Sequence, residues 1–194
     1  MKTLQTIVNN YLQESQDIIQ KFVSVHSNAE LIGKAGEIMA EAIQKGGKVI
    51  SCGNGGSMSD AMHFAEELSG RFRHNRKALP AIAISDPAFI SCAANDFGYD
   101  FVFSRYIEAM GKPGDVLLAI STSGNSPNIT EAVKAAKTRQ MKVIALTGKT
   151  GGILSGLCDI EIRAPKTEFS DHAQEIHIMV IHSLVLCIEK KLIG

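Results

Sequence analysis

Residues 116–127 read VLLAISTSGNSP, an apolar run that leads into a turn of small hydroxyl residues and then a proline. Residues 48–57, KVISCGNGGS, have the same order, with an apolar run followed by a glycine-rich turn. In both cases the residues that follow have the apolar spacing of a helix. A strand, a small polar turn and a helix form the repeating unit of parallel sheets, whose ligands bind at the carboxyl ends of the strands.

Five short apolar runs alternate with helical patterns along the chain. The runs that predict strands are 48–52, 81–84, 116–120, 143–146 and 160–162. Helical patterns lie at 57–71, 87–110 and 127–139, and a last long helix is predicted from about 171 to 192. The predicted fold class is α/β, a three-layer α/β/α sandwich around a five-stranded, mainly parallel, flavodoxin-like sheet. We expect a single domain over residues 1–194, with the sandwich at about 37–194 and an N-terminal helical extension over 1–36.

The N-terminal extension has the spacing of a long helix with one apolar face. Its apolar positions recur at steps of three and four and are Leu4, Ile7, Val8, Tyr11, Leu12, Ile18, Ile19 and Phe22. A second helix is predicted from about Ser27 to Gln44, where the Gly46-Gly47 pair ends it. The apolar face of the first helix could pack in the core or form a seam between copies of the chain, and the pattern does not distinguish these alternatives.

The 194 residues are 45% apolar and 21% charged, with 20 Lys and Arg against 20 Asp and Glu. A net charge of zero argues against nucleic-acid binding, which requires a basic surplus, and favours contact between copies. No apolar run approaches the length of a membrane span, and the first residues lack the apolar stretch of a signal peptide. We therefore expect a cytoplasmic protein with no membrane partner. The four cysteines form no CxxC pair and are expected to be reduced core residues; they are Cys52, Cys92, Cys158 and Cys187.

Both polar turns are candidates for anion binding. Glycine lets backbone N–H groups approach an anion closely, and the start of the following helix adds free donors. Ser126 ahead of Pro127 could be only a helix cap, but two such turns at the ends of separate strands favour an anion site. A dinucleotide fingerprint fails because Met58 stands where its third glycine is required, and a P-loop fails at Val143. No nucleotide cofactor is therefore expected.

The turns CGNGGS and STSGNS resemble those of the sugar isomerase (SIS) domain family, whose members bind phosphosugars with the Ser/Thr turn at the phosphate. Further stretches are similar to the phosphoheptose isomerases within that family: GNGGSMSDAMHFAEELSGR at 53–71, PAIAIS at 80–85, NDFG at 95–98, ALTGK at 145–149 and QEIH at 174–177. The resemblance covers nearly the whole chain and implies a SIS domain at about 37–194.

The resemblance implies an isomerase that converts D-sedoheptulose 7-phosphate to D-glycero-D-manno-heptose 7-phosphate through an enediol. This reaction begins the synthesis of ADP-heptose for the lipopolysaccharide core, and family members are homotetramers. The main alternative is a non-catalytic SIS-domain protein that binds the bacterial replication initiator, but that relative lacks the acid and imidazole present here at Glu67 and His182. A SIS regulator would need a helix-turn-helix segment, and arabinose 5-phosphate isomerases usually have extra domains. We expect neither in a chain of this length.

His63 and Glu67 lie four residues apart on the helix after the first turn, and therefore on one face. This spacing alone fits either a metal site or a solvated pair. The resemblance implies one Zn²⁺ per subunit, held by His63, Glu67, Gln174 and His182. Eight residues of helix, about 12 Å of rise, separate Gln174 from His182. Both reach one ion only if Gln174 lies in an irregular turn or if one ligand comes from another subunit.

An enediol mechanism requires a base at carbon and a group that moves protons between oxygens. Glu67 is assigned as the base and His182 as its proton-transfer partner, because a carboxylate and an imidazole can both be tuned toward neutral pH. The resemblance also implies substrate-binding roles for Asn54, Gly55, Gly56, Ser57, Glu67, Asn95, Asp96, Ser121, Thr122, Ser123, Ser126 and Gln174.

Overall fold

A computed structural model describes residues 3–194 of the chain. Five strands form one sheet: β1 (Val49–Gly53), β2 (Ala81–Ala83), β3 (Val116–Ser121), β4 (Lys142–Thr147) and β5 (Ile160–Arg163). β1 and β3 are buried along their whole length, as strands covered on both faces require. The five predicted strands are confirmed, with ends that differ by one residue.

All strands are parallel and lie in the order β2-β1-β3-β4-β5. Gly53 at the end of β1 pairs with Ile120 near the end of β3, so the two polar turns start side by side. The chain leaves β1 toward β2 on one side and returns to β3 on the other, which makes the β1–β3 boundary the switch point of the sheet. Open α/β sheets bind their ligands outside the carboxyl ends of the strands at this point.

Helices cover both faces of the sheet. On one face pack α2 (His26–Gln44), α3 (Gly56–Ser69) and α7 (Asp171–Ile193); on the other pack α4 (Pro87–Phe97), α5 (Val102–Met110) and α6 (Pro127–Thr138). Successive strand residues enter opposite cores, so that Leu118 joins the first and Leu117 the second. The predicted three-layer sandwich is confirmed. Across residues 3–194, every helix is too short or too polar to cross a bilayer.

The predicted helical interval 87–110 is two helices rather than one. The Asp86 carboxylate caps α4 by accepting a hydrogen bond from the Phe89 amide at 2.6 Å. Gly98 has a φ of +90°, which side chains rarely adopt, and it ends α4 before a 3₁₀ turn over Tyr99–Phe101. Apolar spacing does not report the backbone conformation of one glycine, so the pattern predicted a single element.

The N-terminal helix α1 (Leu4–Ser24) lies partly in the core and partly outside it. Ile18 and Phe22 are each 5% exposed and join the core that α2 and α7 form. Leu4, Val8 and Leu12 are 81%, 54% and 59% exposed. The apolar face therefore packs in the core at its carboxyl end and is exposed at its amino end.

The prediction that all four cysteines are core residues is wrong. Cys52 on β1 is buried, Cys92 on α4 is exposed, and Cys158 and Cys187 are partly exposed. Ala93 is the buried residue of α4, so the adjacent Cys92 faces solvent. All four are free thiols.

Candidate active site

Three side chains that can bind a metal or transfer a proton meet between α3 and α7. His63 Nε2 lies 2.9 Å from His182 Nε2 and 3.4 Å from Glu67 Oε1. One ligand atom from each of the three residues lies within 4.8 Å of the others. His63 and Glu67 are one turn apart on α3, and α7 brings His182 against them. All three are partly exposed, so a small molecule can reach them.

Two neighbours orient the histidines of this cluster. Glu66 Oε1 lies 3.0 Å from His63 Nδ1, which leaves Nε2 of that ring facing His182. The Phe72 ring packs against the His182 ring, with centroids 5.8 Å apart. In zinc sites, the histidine ring nitrogen that does not bind the metal commonly donates a hydrogen bond to a carboxylate. Two imidazoles and one carboxylate are also a ligand set of catalytic zinc, so the residues present fit this ion.

Gln174, the fourth ligand that the resemblance implies, lies at the opposite end of α3. A Cβ added to Gly56 would come within 2.5 Å of Gln174 Nε2, so this amide rests directly on the start of the helix. Gly56 precedes His63 by seven residues, about 10 Å along the helix axis. The structure therefore brings Gln174 to the first polar turn, and its role as a metal ligand stays a prediction.

The first polar turn leads directly from β1 into α3. Gly55 has a φ of +54°, and with Gly56 it presents exposed backbone at the start of the helix. Ser57 is 4% exposed, and its N–H donates to Asn54 O at 3.0 Å. A Cβ at Gly53 would collide with the backbone of Ser57, so only glycine allows this tight turn.

The second polar turn gathers its hydroxyl groups on one side. Ser121 Oγ lies 3.0 Å from Ser126 Oγ and 3.5 Å from Ser123 Oγ. Ser121 is buried, whereas Thr122, Ser123 and Ser126 are partly exposed. The turn has no Lys or Arg, so an anion here would meet hydroxyl groups, backbone N–H groups and the positive end of α6.

A pair of asparagines joins the two polar turns. Asn54 Nδ2 donates to Asn128 Oδ1 at 2.8 Å, and Asn128 Nδ2 donates to Asn54 Oδ1 at 2.9 Å. Asn128 is 2% exposed, in the first turn of α6. The Tyr99 hydroxyl also donates to Asn54 Oδ1, at 3.2 Å. These contacts with other side chains therefore fix the Asn54 amide and connect the first polar turn to the second polar turn.

Asn95 and Asp96 lie on the last turn of α4 and are exposed. Asn95 Nδ2 donates to Asp96 Oδ1 at 2.9 Å. Tyr99, three residues further along, contacts Asn54, so this end of α4 adjoins the first polar turn. The structure thus brings both predicted residues to the same edge of the sheet as the glycine-rich turn.

The sequence and the fold also match those of known proteins. The sequence profile of the SIS domain family matches residues 10–148. The phosphoheptose isomerase of Photorhabdus laumondii is 58% identical over 189 residues, which are 97% of this chain and 98% of that relative. The chain belongs to the phosphoheptose isomerase family. The phosphoheptose isomerase of Vibrio cholerae is 55% identical, over 97% of this chain and 98% of its own length.

A solved phosphoheptose isomerase also shares the fold. The structure of GmhA from Neisseria gonorrhoeae matches with a TM-score of 0.89 at 39% identity and covers 97% of this chain and 100% of its own. The family resemblance drawn from the sequence motifs is confirmed. The curated relatives and this solved structure are all isomerases by name, so they do not favour the non-catalytic alternative.

Two buried polar atoms in this phosphoheptose isomerase family member lack a hydrogen-bond partner within residues 3–194. They are Asp60 Oδ2 and His177 Nδ1. Burial raises the pKa of Asp60 to about 6, although the nearby His63 opposes the shift. Burial lowers the pKa of His177 to about 4, despite the contact of its Nε2 with Thr147 O at 2.9 Å. His177 is therefore a neutral ring that ties α7 to the end of β4.

Sequence reasoning missed two residues that hold the phosphoheptose isomerase site together. Asn128 follows the Ser/Thr turn directly. An amide side chain in the first turn of a helix that starts at a candidate anion-binding turn was the signal that could have identified this residue. Arg76 lies in the segment between α3 and β2 and contacts both α3 and α7. Its surroundings in the sequence, HNRKAL, have no pattern that indicates this contact.

Proposed function

We propose that this chain is an isomerase that converts D-sedoheptulose 7-phosphate to D-glycero-D-manno-heptose 7-phosphate, the first step toward lipopolysaccharide core heptose. One observation carries the proposal. Glu67 and His182 meet beside His63 between α3 and α7, in a chain 58% identical to a phosphoheptose isomerase. A carboxylate and an imidazole are the groups that a ketose–aldose proton transfer requires.

The substrate phosphate would bind at the second polar turn. Ser121, Thr122, Ser123 and Ser126 supply hydroxyl groups, and α6 adds backbone N–H groups at its positive end. The sugar chain would then run toward α3. Its hydroxyl groups would bind the first polar turn and the neighbouring amide and acid groups, which are Asn54, Gly55, Gly56, Ser57, Asn95, Asp96 and Gln174.

Glu67 and His182 would divide the proton transfers. The Glu67 carboxylate takes a proton from C1 of the ketose and later returns it to C2, so the C–H bond broken at C1 is replaced by one at C2. His182 delivers a proton to the carbonyl oxygen O2 and accepts the proton of O1, which leaves the aldehyde at C1. The enediol is the intermediate between the two halves, and no proton is gained or lost overall.

One Zn²⁺ per subunit would be held by His63, Glu67 and His182, and Gln174 would complete this set only from another subunit, because within one chain it lies on a regular part of α7 beside Gly56. The donor set of two imidazoles and one carboxylate supports this assignment. When bound, the ion would supply Lewis-acid polarisation of the substrate carbonyl. The proposal predicts one zinc per chain after purification, measured by mass spectrometry, and loss of turnover on chelation that added Zn²⁺ restores.

The direct test of function is incubation with D-sedoheptulose 7-phosphate and detection of the aldose product. Glu67→Gln and His182→Gln should each lower kcat by roughly 100-fold or more, because each removes a proton-transferring group. Sugar-phosphate binding should remain measurable by calorimetry. Glu108→Gln and His26→Gln, on exposed helix surfaces, are the matched controls and should turn over like the unmodified chain.

Absence of turnover in the unmodified, zinc-loaded chain would contradict the isomerase proposal and favour the non-catalytic SIS-domain alternative. Full activity in Glu67→Gln or in His182→Gln would instead contradict only the assigned role of that residue.

We further propose that the chain is a cytoplasmic homotetramer. The exposed apolar amino end of α1 supports contact between copies, since four of its large side chains, Leu4, Ile7, Val8 and Leu12, are more than half exposed. The net charge of zero supports it as well, because it removes long-range repulsion between copies.

A further inference from the structure

Arg76 makes an unusually complete set of buried contacts outside the cluster itself. Its side chain is 3% exposed, and Nε donates to Glu189 Oε1 at 2.7 Å. One terminal nitrogen donates to Leu68 O and Gly70 O, each at 2.8 Å. The other donates to Glu67 O at 2.6 Å. Four of the five N–H groups of a guanidinium are thus used.

These contacts connect the two helices that carry the site. The carbonyl groups of Glu67 and Leu68 belong to the last turn of α3, and that of Gly70 belongs to the residue that caps the helix. Carbonyl groups at this end have no partner within the helix and favour a cation. Glu189 lies on α7, seven residues or about two turns after His182 and on the same face. Arg76 therefore binds the backbone of Glu67 directly. It is connected to α7, the helix that carries His182, through Glu189.

Stability alone is a weak reason for such a pair. Apolar residues often replace a buried ion pair without loss of stability, because removing two charges from water is costly. What a guanidinium adds is direction, since its planar donors accept only one arrangement of their partners. That arrangement matters here because His63 and His182 stand 2.9 Å apart across the helix interface, where a small displacement separates them.

We propose that Arg76 and Glu189 are positioning residues that set the spacing of α3 and α7, and thereby bring Glu67 and His182 into reacting distance. The inference rests on the proposed isomerase function and deepens it. Arg76 acts through the backbone of Glu67 and through α7. This role requires no contact between Arg76 and the substrate. A loosened pair should therefore impair turnover and zinc binding while phosphate binding at the second polar turn persists.

The test compares Arg76→Lys, which keeps the charge but loses the planar donors, with Glu189→Gln, which keeps the size and an acceptor. Each variant should lower kcat by roughly 10- to 100-fold with KM within about 3-fold, because a displacement of about 1 Å has effects of this size. Affinity for Zn²⁺, titrated into metal-free protein in a zinc buffer, should fall by roughly 10-fold or more. The double variant should lose no more than the worse single variant, since the two residues act as one unit.

Lys48→Met is the matched control. Lys48 pairs with the 3%-exposed Asp115 at the amino ends of β1 and β3, and its hydrogen bonds within residues 3–194 go to Asp115 and Val116 rather than to α3 or α7. It should lower the thermal unfolding temperature while kcat and Zn²⁺ affinity remain those of the unmodified chain. If Arg76→Lys does not fold, the same measurements on Glu189→Gln decide the matter.

The inference is overturned if the folded variants keep unmodified kcat and Zn²⁺ affinity. It is also overturned if Lys48→Met loses as much kcat at the same loss of unfolding temperature, which would indicate a general effect of stability. Failure of the proposed function is distinguishable, because the unmodified chain would then produce no aldose at all.

Discussion

At the scale of single residues, burial decides the chemistry of His177. Its Nε2 contacts the Thr147 carbonyl at 2.9 Å, so Nε2 carries the proton and Nδ1 is the site left for a second one. Nδ1 is buried and has no acceptor nearby within the described residues 3–194, which explains why the pKa of this ring falls to about 4. The motif QEIH identified this histidine as part of the family pattern but did not indicate its neutrality.

His177 should make the fold sensitive to acid. The unfolded chain takes up a proton on this residue below about pH 6.5, whereas the folded chain resists until about pH 4, so stability falls as pH decreases through this window. His177→Gln keeps a donor for Thr147 O and cannot be protonated. Urea unfolding at about pH 7 and about pH 4.5 should show that this variant loses on the order of 2 kcal/mol less than the unmodified chain.

The exposed His74 provides the control for this experiment. His74→Gln should leave the acid dependence of unfolding unchanged. Equal acid losses in His177→Gln and the unmodified chain would contradict the account of His177 as a buried neutral ring.

At the scale of elements, the site depends on how two turns are held together. β1 and β3 end side by side. The first polar turn leads into α3 on one face of the sheet, and the second leads into α6 on the other face. Gly124, with a φ of +67°, packs on the carbonyl of Gly151 and lets the second turn close tightly. Asn54 and Asn128 bridge the gap between the turns with two hydrogen bonds.

Asn128→Ala should weaken substrate binding more than turnover. The change removes both hydrogen bonds between Asn54 and Asn128, leaves Asn54 with Tyr99 alone and frees the first polar turn from the second, so we expect KM for the sugar phosphate to rise several-fold while kcat changes little. Stability should fall by about 1 to 3 kcal/mol, because two hydrogen bonds worth about 0.5 to 1.5 kcal/mol each are lost. Steady-state kinetics and urea unfolding measure the two effects.

Asn28→Ala is the matched control for that variant. The Asn28 side chain donates to the Phe22 carbonyl at 2.8 Å, between α1 and α2, and touches neither turn. It should lower stability with no change in KM. A KM for Asn128→Ala equal to that of Asn28→Ala would contradict the proposed link between the turns.

At the scale of the whole molecule, the amino end of α1 leaves an apolar surface exposed. Apolar spacing predicted the helix correctly but could not say which of its residues reach the core. In the structure Ile18 and Phe22 pack against α2 and α7, while Val8 and Leu12 are more than half exposed. Such an apolar surface typically marks contact with another molecule, and the proposed tetramer offers a second copy.

Charge placed on this surface should reduce the size of the assembly. Sedimentation of Val8→Glu/Leu12→Glu is expected to give a smaller species than the tetramer proposed for the unmodified chain, because a buried unpaired carboxylate is strongly unfavourable at an apolar contact. Gln16→Glu adds a charge at an exposed polar position of the same helix and should leave the tetramer intact. An unmodified chain that sediments as a monomer would contradict the proposal.

The amino-acid sequence by itself determined the five strands, the order of strands and helices along the chain, the two polar turns and the family. These depend on local patterns, since apolar runs, helical spacing and glycine-rich turns restrict the backbone where they occur. The spacing of His63 and Glu67 on one helical face is local in the same sense. Gly98 marks the limit of this reasoning, because one residue with positive φ divided a helical pattern that was otherwise continuous.

The tertiary structure alone decided which distant groups meet. Residues 119 positions apart form the His63–His182 contact, 113 separate Arg76 from Glu189, and 74 separate Asn54 from Asn128. Each contact depends on the rotation and separation of two packed elements, to within about 1 Å. Those quantities result from the packing of the whole core rather than from any short stretch of sequence, because side chains in a close-packed interior adjust to one another.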